Sequence, residues 1–211
     1  MSTDDTIPPQ DIGDNIESWI QARLGKVTAS RVADVVAITR NGPSERRKSY
    51  MVELIAERLT GMRKEQFLSQ AMMWGVETEH DARQAYERHS GNKVAGVWFV
   101  DHAAISMAGA SPDGLVGAEG LVEIKCPTTQ THVATLLTDE VPDKHIAQMQ
   151  WQMACTGRKW CDFVSFDPRI HSPARLFVRR VMRDNDDIAK TEAAVRQFLT
   201  EIDAAMERLG A

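Results

Sequence analysis

Cysteine is scarce in this chain: Cys126, Cys155 and Cys161 are the three among 211 residues. An odd set with no C-x-x-C spacing argues against a disulfide framework and against a zinc or iron–sulfur centre. The thiols read as small buried hydrophobes. Long apolar runs are missing too, since none approaches the roughly 18 residues of a membrane span. The opening "MSTDDTIPPQD" is polar and acidic, unlike a signal peptide. The expectation is a cytoplasmic protein with no membrane association. His80 has no H-E-x-x-H context, which removes the usual helical zinc motif. Nor is there an excess of positive charge. With 25 Lys and Arg against 30 Asp and Glu the net charge is −5, which speaks against a generic nucleic-acid binder.

What is present is an ordinary globular composition, 43% hydrophobic and 26% charged. Without repeats or low-complexity segments it implies one domain over residues 11–211 behind a disordered tail at 1–10. The charge is uneven. "TRNGPSERRKS" carries Arg40, Arg46, Arg47 and Lys48 against Glu45, while residues 184–203 are acidic. A basic loop on an acidic chain is ordinarily a solvated loop, unless a phosphate-handling site lies nearby.

Apolar spacing predicts an amphipathic helix over "DIGDNIESWIQARLG", stopped by Gly25, and another over "TASRVADVVAI" with Thr28 as N-cap. A third helix spans 44–59 and ends at Gly61, and a long fourth spans about 69–89 and ends at Gly91. The texture then turns to strands in "KVAGVWFVD" and "AISMAGAS", followed by a hairpin in "GLVGAEGLVEIKCP". Helices in "QTHVATLL" and "KHIAQMQWQMACTG" flank a linker with Pro142. Strands "WCDFVSFDP" and "ARLFVRRVMR" follow, and a helix over 186–209 closes the chain. The order implies an α+β or mixed α/β domain around a central sheet. The tryptophans Trp19, Trp74, Trp98, Trp151 and Trp160 read as core or subunit-interface residues rather than base-stacking platforms.

The stretch "SPDGLVGAEGLVEIKCP" stands out. Strand side chains alternate faces, so Glu123 and Lys125 share one face while Val122, Ile124 and Cys126 fill the other. Pairing the hairpin arms brings Asp113 beside Glu123. Two adjacent carboxylates repel unless a cation joins them, and hard oxygen ligands suit Mg²⁺ or Mn²⁺. The plain alternative is a D-G turn and a solvent-facing Glu–Lys ion pair. The otherwise apolar surroundings of Leu121–Cys126 weigh toward the metal.

"SPDG…GLVEIKCP" resembles the P-D…(D/E)-x-K signature of restriction-endonuclease-like nucleases. More narrowly, the chain resembles the lambda-exonuclease or YqaJ-type viral recombination exonucleases. "WIQARLGKVTASRVADVV", "MMWGVETEHDAR" and "HIAQMQWQMACTGRKWCDFVSFDPR" follow that branch in order, over roughly residues 16–209. The resemblance implies a restriction-endonuclease-like core, a central mixed sheet flanked by helices. It also implies a Mg²⁺ site of Asp113, Glu123 and the Ile124 carbonyl, with Lys125 handling the attacking water. Glu79 would approach a second metal or the lysine; its alternative is an i,i+4 pair with Arg83. Glu77 and Asp81 read as surface charges. One of Gln148 and Gln150 would border the site and touch DNA, with Gln150 favoured. Arg23 and Ser30 would hold a 5′-phosphate, with Thr28 left to cap the helix. Arg40, Arg46, Arg47 and Lys48 would track the DNA backbone.

The activity implied is 5′-to-3′ digestion of linear duplex DNA to mononucleotides, leaving 3′ overhangs for recombination. The implied setting is a bacterial cytoplasm with a phage or prophage gene, a homotrimeric ring around DNA and a single-strand annealing partner. A structure-specific endonuclease of the same fold and a non-catalytic DNA-end-binding scaffold are the rivals. Intact Asp113, Glu123 and Lys125 weigh against the scaffold.

Overall fold

The structure is a computed structural model, describing residues 16–40, 42–63, 70–171 and 173–211. The expected tail at 1–10 and the start of the first helix at 11–15 lie outside the described residues. The elements in chain order begin with α1 (Ile16–Arg23), β1 (Val27–Thr28), a 3-10 turn (Ala29–Arg31), α2 (Val32–Val36), β2 (Ile38–Thr39) and β3 (Gly42–Pro43). Next come α3 (Glu45–Thr60), α4 (Gln70–Ser90), β4 (Val94–Ala95), β5 (Val100–Asp101), β6 (Ala108–Ala110), β7 (Gly114–Val116) and β8 (Gly120–Lys125). The chain finishes with α5 (Thr129–Thr138), α6 (Asp143–Thr156), β9 (Trp160–Phe166), β10 (Leu176–Met182) and α7 (Asn185–Leu209).

Local chemistry sets many of these limits. Ser44 caps α3 by accepting from the Arg47 amide, and Gly61 closes it at φ 65°. The β7–β8 hairpin turns through Gly117 at φ 56°. The expected second helix is much reduced. Thr28 makes no side-chain cap bond, because its backbone pairs in parallel with β6 and its N–H donates to the Tyr50 hydroxyl at 3.2 Å. The β-branched run Val32, Val35 and Val36 then supports little more than one turn. The apolar run "KVAGVWFVD" also divides, with β4 and β5 joining different sheets.

The main sheet has the order β10-β9-β8-β7-β4, parallel between β8 and β9 and antiparallel elsewhere. A smaller sheet runs β1-β6-β5. This is the mixed sheet flanked by helices that the sequence implies. The alternation along β8 is realised. Val122 and Ile124 pack with Ala82, Ala85 and Tyr86 of α4, while Leu121 packs with Met149 and Met153 of α6. A third core joins α2, α3, α6 and α7 around Tyr50, Trp151 and Phe198. Trp19 and Trp151 are buried as expected of core residues, whereas Trp98 stays exposed. β8 is thus the central plank, held between α4 and α6.

Candidate active site

Glu123 sits on β8 with no solvent exposure. An isolated buried carboxylate is costly, so its partners matter. Gln148 Nε2 donates to its Oε1 at 2.7 Å, and Gln152 Nε2 donates to its Oε2 at 2.6 Å. The Lys125 ammonium lies 2.8 Å from Oε1, with the lysine side chain 21% exposed at the mouth of the site. Asp113, just before β7, is buried, and its Oδ2 accepts from the Ile124 amide at 2.6 Å. The hairpin therefore unites Asp113, Glu123 and Lys125, as the spacing predicts.

The electrostatics are strained. Burial pushes the Asp113 carboxyl well above its usual range; Glu123 and Glu79 push it further, opposed by Lys125 and the Ile124 N–H. Converging carboxylates of this kind are what a divalent cation relieves. Among the described residues no three His, Cys, Asp or Glu side chains form a ready-made cage. Asp113 and Glu123 are hard oxygen donors of the kind a divalent cation such as Mg²⁺ takes alongside waters. Cys126, at the end of this strand, is pushed up to about 12, chiefly by burial, and is no nucleophile.

Glu79 and Arg83 do pair across one turn of α4, at 3.7 Å. Arg83 Nη2 also donates to the Asp113 carbonyl at 2.9 Å, so the pair belongs to the site rather than the surface. A cleft of about 510 Å³ opens beside Glu79 and Arg83 and runs along α4 to Arg88 and Lys93. Glu77 and Asp81 are exposed, as expected of surface charges.

Two expectations are corrected by geometry. Gln150 does not border the site. Its Nε2 donates to the Met182 carbonyl and its Oε1 accepts from the Asp184 amide, which ties α6 to the end of β10. Residues 148 and 152 lie four apart on a helix and share a face, while 150 points away. That spacing was readable, and it would have found Gln152. Arg47 is likewise unavailable to DNA. It is buried, forks onto Glu201 at 2.7 and 3.0 Å, and donates to the Val35 carbonyl. Thr28 lines a small cavity with Arg23, Lys26 and Arg31. The Ser30 hydroxyl lies 3.5 Å from that of Thr28.

Arg23 is buried over the Trp19 ring and donates to the Ser111 hydroxyl at 3.2 Å, two positions before Asp113. Arg46 is exposed and lies 3.6 Å from Asp34. Lys48 pairs with Glu45 at 2.7 Å, and Arg40 is exposed.

Residues 18–159 match the YqaJ-like viral recombinase domain. An alkaline exonuclease (LHK-Exo) from Laribacter hongkongensis is 49% identical, with a TM-score of 0.86 over 92% of this chain and 96% of that one. The same LHK-Exo in complex with dAMP matches at the same identity and TM-score over 92% of this chain and 95% of that one. A phage-related exonuclease from Haemophilus somnus 129PT shares the fold, with a TM-score of 0.68 at 16% identity over 87% of this chain and 96% of that one. No curated protein matches.

Proposed function

The chain belongs to the YqaJ-like viral recombinase family, and from that premise we propose that it is a Mg²⁺-dependent exonuclease. In this reading it digests one strand of linear duplex DNA from the 5′ end, releasing 5′-mononucleotides and leaving 3′ overhangs for strand annealing. The observation that carries the reading is the buried Asp113–Glu123 pair with the Lys125 ammonium at its mouth. A 49%-identical relative that is an alkaline exonuclease, solved in complex with dAMP, supports deoxynucleotide chemistry at such a site.

Asp113, Glu123 and the Ile124 carbonyl would hold Mg²⁺, with Glu79 placed to reach a second ion. Such an ion polarises a phosphate and makes nearby water more acidic. The residues of the chain do the rest. Lys125 orients the attacking water and offsets charge that builds on the phosphate oxygens. A bond forms from the water oxygen to phosphorus, the bond from phosphorus to the 3′-oxygen breaks, and the water's proton ends on that 3′-oxygen. The released nucleotide keeps its own 5′-phosphate, and the shortened strand gains a new one. Arg23, linked to the Ser111 hydroxyl beside Asp113, is positioned to hold that new terminus. Arg83 Nη2, which donates to the Asp113 carbonyl and pairs with Glu79 at 3.7 Å, ties α4 to the turn that carries Asp113.

The ring-shaped trimer and the annealing partner belong to the same proposal. Exposed Ile38, Val52, Leu59 and Met62 supply apolar surface that a subunit interface would cover. A basic channel inside an acidic ring would reconcile the net charge of −5 with DNA binding.

The deciding experiment digests linear duplex labelled separately at each end, with Mg²⁺ or EDTA, beside Lys125→Ala and a covalently closed circle. Mg²⁺-dependent mononucleotide release from the 5′ end alone, absent in Lys125→Ala and on the circle, is the expected result. Linear DNA bound yet uncut with every divalent ion would overturn the reading and leave the Glu123–Lys125 strand as a structural ion pair.

A further inference from the structure

Three donors grip the Glu123 carboxylate, and they are not equivalent. Lys125 and Gln148 both meet Oε1, at 2.8 and 2.7 Å. Two contacts on Oε1 leave Oε2 without a restraint of its own. Gln152 meets Oε2 at 2.6 Å, and with that third contact both oxygens are held. Gln152 itself has no solvent exposure, and it lies between Met149 and Met153 of the apolar α6 layer. A primary amide in such a place costs stability unless its bonds are made. Its orientation is set at both ends. The NH₂ group faces a carboxylate that accepts, and the carbonyl oxygen faces the Cys161 thiol at 4.0 Å.

We infer that Gln152 is a positioning residue that holds Oε2 and so steadies the Glu123 carboxylate beside Lys125, where it would serve as a ligand to the divalent cation. The inference rests on the nuclease reading above and deepens it. A neutral amide is suited to the task, because it holds the carboxylate still without cancelling the charge that binds a cation. Partners that orient metal ligands in this way typically carry a 10- to 100-fold effect on affinity or activity, on the order of one or two decades.

Gln150 provides a control within the same helix. It too is a buried glutamine with both ends engaged, but its partners are backbone groups at Met182 and Asp184. The experiment compares Gln152→Met, Gln152→Asn and Gln150→Met with the unmodified protein. Mn²⁺ binding is measured by calorimetry without DNA, together with Tm and the kcat and KM on end-labelled linear duplex. Gln152→Met keeps the volume and removes the donor; Gln152→Asn keeps the donor but withdraws it by one methylene.

Both Gln152 variants are expected to weaken Mn²⁺ binding about tenfold or more and to lower kcat about 10- to 100-fold, with KM for DNA ends little changed. Gln150→Met is expected to lower Tm without altering Mn²⁺ affinity. If Gln152→Met does not fold, Gln152→Asn decides. Mn²⁺ affinity within about twofold of the unmodified protein in a folded Gln152 variant, with only Tm reduced, would make Gln152 a packing residue and overturn the inference. If the unmodified protein itself neither binds Mn²⁺ nor cuts DNA, the nuclease reading falls, and this inference with it.

Discussion

Arg47→Ala separates charge that holds the fold from charge that could meet DNA. Arg47 lies on α3 with its side chain 10% exposed, spanning the 154 positions to Glu201 on α7. Three losses follow from its removal. The Val35 carbonyl, which accepts from Arg47 Nε at 3.2 Å, loses its partner, at about 1 kcal/mol. The fork onto Glu201, whose side chain is 36% exposed, is partly screened and adds about 0.5 to 1 kcal/mol. The guanidinium stacked 4.9 Å above Phe198, with its buried stem, adds about 0.5 to 1 kcal/mol. The sum is about 2 to 3 kcal/mol, which for a chain of this length lowers Tm by about 4 to 12 °C. Calorimetry reads that shift directly. DNA affinity measured against salt provides the second axis, since a lost phosphate contact lowers the slope by about one. Arg47→Ala is expected to melt early with an unchanged salt slope, whereas the exposed Arg46→Ala keeps its Tm. An Arg47→Ala protein with a Tm within about 1 °C of the unmodified chain, and a reduced slope, would refute the buried-fork argument.

Asp113→Asn is expected to abolish nuclease activity while raising the metal-free Tm, because it removes a buried charge repelled by Glu123 and Glu79; calorimetry in EDTA and the end-labelled digestion read the two effects. Asp167, held down to about 2 mainly by the Arg169 fork and the Thr129 hydroxyl against its burial, predicts an acid limb. Its depressed carboxyl contributes stability that is full above the unfolded value near 3.8 and is lost as pH falls toward about 2. Asp167→Asn should flatten urea midpoints over that window, at a cost of about 2 kcal/mol at neutral pH. Gly109→Ala should fold poorly, since a Cβ there would stand 2.3 Å from the Phe99 ring and 2.7 Å from the Val100 carbonyl oxygen; soluble yield and Tm against the unmodified protein test it.

The features legible in the sequence were those determined locally. Ser44 and Gly61 bracket α3 by capping chemistry, and the alternation along Leu121–Cys126 fixes which β8 residues enter which core. The Asp113–Glu123–Lys125 cluster followed from hairpin pairing alone. What was not legible depended on distant partners. Arg47 in "SERRKS" looks like its neighbours until α7 brings Glu201 against it. Thr28 reads as a helix cap, but strand β6 captures its backbone first. The choice between Gln148 and Gln150 was a different kind of miss. Helical spacing puts 148 and 152 on one face of α6 and 150 on another.

The parallel pairing of β8 with β9 also governs when the site can exist. Parallel neighbours need a long crossover between them, here α5 and α6, and that crossover carries the two glutamines that grip Glu123. In a hairpin of β7 and β8 alone, Glu123 keeps Lys125 and Asp113 keeps the Ile124 amide, but Gln148 and Gln152 are missing. The full set of contacts on Glu123 therefore requires α6 docked beside β8. A chain in which α6 is undocked carries Asp113, Glu123 and Lys125 but lacks the two glutamine donors that hold the Glu123 carboxylate.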